Sequence, residues 1–154
     1  MDIKVNTNIS KEFNDITIKI EVNAPELTDD IQKILNNLSK ITKWKEEIIA
    51  TKNNEIFLIK SSDIFYIYSD EKNNFIKTSN GTYKIKDRLY ELEDNLDENK
   101  FIRISNSCII NIDKTKSFDV SQIGSLFAKM EDDTKQEVSK RKIKNVMNIL
   151  NGRK

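Results

Sequence analysis

The chain predicts a mainly β fold, α+β overall, and three observations carry that prediction. Short runs of β-branched and aromatic residues follow one another after Trp44. Polar breakers separate them: Asn53-Asn54, Ser61-Ser62-Asp63, Lys72-Asn73-Asn74 and Asn80-Gly81. Only three segments place apolar residues at helical spacing.

Ile3, Val5 and Ile9 suggest a weak first strand. Ile16, Ile18, Ile20 and Val22 alternate with polar residues, as a strand with one buried face does. Pro25 closes it, and Thr28 reads as a helix N-cap with Asp29 and Asp30 in the first turn. Ile31, Ile34, Leu35, Leu38 and Ile41 then form an apolar stripe. Residues 1–43 therefore read as a strand-strand-helix segment, suited to dimerisation or to a partner, ahead of a second unit at 44–154.

In that second unit, strands are expected at Glu47–Thr51, Glu55–Ile59, Ile64–Ser69, Phe75–Thr78 and Thr82–Ile85. Asn80-Gly81 reads as a hairpin turn, because both residue types tolerate positive φ. Asp87–Leu96 reads as a helix with Leu89, Leu92 and Leu96 on one side. Strands follow at Phe101–Ile104, Ser107–Ile112, Ser117–Val120 and Leu126–Met130. The last helix runs from about Ser139 to Leu150, with Ile143, Val146, Met147 and Leu150 inward.

Composition narrows the function. Hydrophobic residues make up 37% and charged residues 33%, a globular balance. The start lacks signal-peptide form and no apolar run is long enough to span a membrane, which predicts a cytoplasmic protein. A single cysteine, Cys108, excludes an internal disulfide. Histidine is absent, which removes the commonest general base and the commonest zinc ligand. The three glycines lie far apart, so no phosphate-cradling loop can be assembled. No enzyme activity, cofactor, metal or small-molecule substrate is expected. Net charge is only +1, but Lys140, Arg141, Lys142, Lys144, Arg153 and Lys154 crowd the C-terminal fifteen residues, which hold no carboxylate side chain.

Four motifs occur in an order that resembles the LytTR family. Phe101–Asn111 (FIRISNSCIIN) is similar to its central motif, and Asp63–Ile67 (DIFYI) to its opening strand. Tyr83–Leu96 resembles its leucine-spaced helix, and Val138–Lys142 (VSKRK) its terminal motif. The likeness covers about Trp44 to Leu150. It implies small antiparallel sheets with short helices. It also implies double-stranded DNA as partner, read through loops in successive major grooves, with a homodimer on repeated half-sites. The lead-in Ala24–Ile31 is similar to that of stand-alone members, which lack a receiver domain and are often restrained by a membrane-bound inhibitor protein. A protein-binding adaptor that keeps the fold without reading DNA is the alternative.

Carried across by motif, Asn74, Asn106 and Arg141 stand where members touch bases. A guanidinium fork suits guanine O6 and N7. Arg141 otherwise is a surface cation at a helix start, where the dipole disfavours it. Asn106 lies between two serines, as a base contact or as an Asx turn. Asn74 is a base contact or part of a hairpin turn. Lys72, Lys77, Ser107, Ser139, Lys140, Lys142 and Lys144 are candidates for phosphate contacts, which set affinity rather than sequence. Arg103 reads as a strand residue paired with an acid of the Asp87–Glu98 segment, and Cys108 as a small core residue. Ser105 stands where many members have histidine, and Asp132-Asp133 where a glycine turn is usual.

Overall fold

The structure, a computed structural model, describes residues 25–41 and 44–153. The two strands expected before Pro25 lie outside the described residues. Helix α1 (Asp29–Ile41) starts as expected, with Thr28 Oγ1 accepting from Ile31 N at 3.4 Å. Ile31 is buried, whereas Leu35 in the same stripe is 40% exposed.

Ten strands follow. β1 (Glu47–Lys52), β2 (Glu55–Lys60), β3 (Ile64–Asp70), β4 (Asn73–Thr78) and β5 (Gly81–Ile85) precede helix α2 (Leu89–Asn95). β6 (Phe101–Ser105), β7 (Cys108–Asn111), β8 (Thr115–Asp119), β9 (Leu126–Met130) and β10 (Lys135–Val138) precede helix α3 (Lys140–Gly152). All pairings are antiparallel, in a seven-stranded sheet ordered β2-β1-β5-β4-β3-β7-β6 and a three-stranded sheet ordered β10-β9-β8.

Each face of the large sheet has its own core. On one, Leu89, Leu92 and Leu96 of the α2 region meet Ile48, Ile64, Ile67, Ile76, Ile85 and Ile109. On the other, Phe65, Ile102, Ile104 and Ile110 meet Leu126, Ala128, Met130 and Val138 of the small sheet and Val146 of α3. A strand with one side in each core must be apolar throughout, which is why β7 reads Cys-Ile-Ile and not an alternation. Cys108 is buried there, and burial pushes its thiol up to about 12. Asn111 is buried as well: its Nδ2 donates to Ile64 O at 2.8 Å and its Oδ1 accepts from Asp113 N. An unmet backbone carbonyl at that depth would cost about 1–3 kcal/mol.

Several turns differ from expectation. Asn53-Asn54 closes β1–β2 with φ of 51° and 64°, the left-handed pair such a two-residue loop needs. At the β4–β5 hairpin, Thr78 pairs with Gly81, so Ser79-Asn80 is the loop and Gly81, at φ 126°, opens β5. Asn73 and Asn74 are not turn residues. They begin β4, and Glu71-Lys72 makes the turn, with Glu71 at φ 52°. Helix α2 starts after Asp87, which pairs with Lys45. Strand β10 was not expected, because Lys-Gln-Glu-Val buries only its last residue fully. Asp133, where a glycine turn is usual in the family motif, takes the glycine-like φ of 66°.

Candidate nucleic-acid interface

Three polar elements converge at one end of the large sheet. Register places Ser69 opposite Asn74 and Asp70 opposite Asn73, so the β3–β4 turn lies there. Tyr68 pairs with Cys108, and Ser69 N donates to Ser107 O at 2.9 Å, which sets the β6–β7 turn beside it. Ser139 N donates to Ile104 O at 2.8 Å and brings the start of α3 to the end of β6. Residues far apart in sequence, Lys72, Asn106 and Arg141, thus come from adjoining elements.

The start of α3 breaks the usual rules of helix ends. Its first turn has no acid, and the Ser139 N-cap makes no side-chain hydrogen bond. Lys140, Arg141 and Lys142 stand at the positive end of the dipole instead. Lys144 lies one turn on, on the side of Lys140. None of these four cations has an ion-pair partner among the described residues. At the other end, Arg153 bonds Asn99 O and pairs with Asp113 at 3.2 Å. A helix start with no side-chain cap and no acid, carrying cations in its first turn, is an arrangement suited to an anion, although Lys142 N is already bonded to Ser139 O at 2.8 Å.

The β6–β7 turn is built from below by Arg103. Its Nε donates to Ser105 O at 3.1 Å, its Nη2 to Asn106 O at 2.6 Å, and its Nη1 meets Glu93 at 3.0 Å. One guanidinium therefore ties the turn to α2, as the pairing with an acid of that helix required. Ser105, not Asn106, supplies the local cap: Ser107 N donates to its Oγ at 3.2 Å. The Asn106 amide is exposed and unbonded among the described residues.

Asn74 differs. It is half-buried, its Oδ1 accepts from Ser69 Oγ at 2.6 Å and its Nδ2 donates to Asp87 O at 2.9 Å. Both ends of the amide are engaged in joining β3, β4 and the chain before α2. Lys72, in the turn itself, is exposed. Lys77 is not part of the cluster: it pairs with Thr82, about 13 Å along β4 from Asn73 at the usual strand rise. Sequence reading located Arg103 but not its grip on the turn carbonyls, since spacing alone does not say which carbonyls a strand arginine will reach. Among the described residues, no group of three or more acidic, cysteine or histidine side chains could hold a metal, and no helix is long and apolar enough to cross a membrane.

The family model of the LytTr DNA-binding domain matches residues 54–151. The chain belongs to that family. A relative from Staphylococcus aureus, described as an uncharacterised HTH-type transcriptional regulator, is 36% identical over 104 residues, covering 68% of this chain and 69% of its own. Another from the same species, so described, is 38% identical over 92 residues, or 60% of this chain and 61% of its own. A solved LytTr DNA-binding domain from Bacillus cereus superposes with a TM-score of 0.66 at 20% identity, over 69% of this chain and 97% of that one. That likeness is one of fold. Within the described residues five strands separate each helix of this LytTr chain from the next, so no helix-turn-helix is formed.

Proposed function

We propose that this chain regulates transcription by binding duplex DNA sequence-specifically, with the β6–β7 turn and the start of α3 facing the grooves. The observation that carries this reading is the uncapped, acid-free start of α3 with its unpaired cations, set beside an exposed asparagine turn. In it, Arg141 and Asn106 touch bases. Lys72, Ser107, Ser139, Lys140, Lys142 and Lys144 meet phosphates. Asn74, engaged on Ser69 and Asp87, shapes the loop that Lys72 presents. Copies sit as a homodimer on repeated half-sites. Control is assigned to residues 1–43, through assembly or through a restraining membrane-bound partner.

The test is a DNA selection from a random pool followed by titration of the selected site. Arg141→Ala should weaken the selected site by about 1–3 kcal/mol and relax preference at one position. Lys144→Ala should weaken all sequences alike and flatten the salt slope by about one unit. Wild-type affinity in the Arg141 variant would remove that residue from the site. No enrichment from the pool would defeat the DNA reading itself.

A further inference from the structure

The large sheet has two unlike edges. At β6 the edge is closed: Ser139 N bonds Ile104 O, and α3 packs against the strand. At β2 the edge is open, with no strand on its outer side among the described residues. In an antiparallel strand every second residue turns its N–H and C=O away from its neighbour, so among the described residues the outward backbone groups of β2 have no strand to meet them. Native sheets blunt such an edge with proline, a bulge or an inward charge. β2 reads Glu-Ile-Phe-Leu-Ile-Lys, has no proline, and pairs with β1 without a register break.

The side chains add to the exposure. Ile56 is 76% exposed, Leu58 63% and Ile49 65%. Ile49 pairs with Leu58, so the three form one apolar strip on the face opposite α2, at the β1–β2 margin where the core of the small sheet does not reach.

We propose that β2 pairs antiparallel with β2 of a second copy, about a two-fold axis through Phe57. Two features select a second copy. The strand is charged oppositely at its ends, so antiparallel reversal sets the Glu55 end of each beside the Lys60 end of the other. Centring on Phe57 keeps side chains on their own faces and lays Ile56 against Leu58 of the second copy, twice, by symmetry. The sheet then continues across both copies, and the two apolar strips join.

This pairing reverses strand direction, so the ends bearing Asn106 and Arg141 point away from each other. The pair therefore holds two separate duplex segments, and it is an association distinct from the copies proposed to sit on repeated half-sites of one duplex. That consequence rests on the proposed DNA binding; the pairing does not.

Equilibrium sedimentation of the full chain decides it. The wild type should dimerise with concentration, and Leu58→Glu and Ile56→Lys should each weaken the dimer by about tenfold or more, since each sets an unpaired charge against an apolar side chain. Mixing the two variants should restore association, because the introduced ammonium then faces the introduced carboxylate. A monomeric wild type, variants that dimerise normally, or a mixture no better than its parts would each overturn the pairing. Both variants should still shift a single half-site duplex, which shows that they fold. Dimers that bind no DNA would refute the proposed function and leave the pairing standing. Wild-type protein should also capture a labelled duplex on beads carrying a second one, and Leu58→Glu should not; dimers that bind DNA but capture nothing would overturn the bridging.

Discussion

Helices α2 and α3 each lay an apolar side on a core, and their N-terminal ends are finished in opposite ways. In α2 the first turn carries Glu91, whose carboxylate accepts from Arg88 N at 2.9 Å, and Leu89 and Leu92 are buried beneath it. In α3 the first turn carries Lys140, Arg141 and Lys142, and the N-cap serine makes no side-chain bond. Charge at a helix end is worth roughly 0.3–1 kcal/mol, and a missing cap about 1 kcal/mol more. α2 has the acid and its bond back to the Arg88 N–H, though Arg88 itself makes no side-chain cap bond, and α3 has neither acid nor cap. A helix that forgoes stability at one end, while its other end is tied down by Arg153, fits the anion contact proposed there.

The comparison separates cleanly under mutation. Leu92→Ala, fully buried between α2 and the sheet, should cost about 2–5 kcal/mol in urea unfolding. DNA affinity per folded molecule should not change, since Leu92 faces the core away from the turns. A matching loss of affinity in the folded variant would mean that the α2 side reaches the interface.

Arg103 sits between the two regimes, because it uses an α2 acid to hold a turn of the candidate site. Arg103→Ala should cost about 0.5–1.5 kcal/mol of stability, a typical net hydrogen-bond contribution, since water can reach the freed carbonyls of the turn. Base preference at the position proposed to be read by Asn106 should loosen as well. Arg103→Lys should not rescue that preference, because an ammonium cannot span two carbonyls and a carboxylate in one plane. Rescue by lysine would reduce Arg103 to a plain surface charge.

Much of this was readable in the chain. The strands of the second unit follow apolar runs bounded by polar turns, and the LytTr motifs mark the β6–β7 turn and the start of α3. What the sequence hid depends on register. Asn73-Asn74 has turn composition, yet the Asp70–Asn73 pairing moves the turn to Glu71-Lys72, with Glu71 held at the positive φ that residues other than Gly, Asn and Asp seldom adopt. β10 carries three polar residues in four, and only its pairing with β9 makes it a strand. Lys77 looked like a fellow of Lys72 at five residues' distance, but a strand turns that spacing into separation along the sheet. The grip of Arg103 on its turn needs three chain segments to meet, and no local pattern encodes that.

Lys140→Glu probes the comparison at its finest. An acid in the first turn of α3 completes what α2 already has, so the variant should gain about 0.3–1 kcal/mol of stability at low salt, less at high salt. The same change puts a negative charge where a phosphate is proposed to sit, and DNA binding should fall for every sequence alike. Stability and affinity moving in opposite directions would show that the cation is held at the helix start against its folding preference. If both fell together, Lys140 would be doing structural work that its exposed position does not reveal. If stability rose and affinity stayed, the anion site would lie further along the turn, at Arg141 and Lys142.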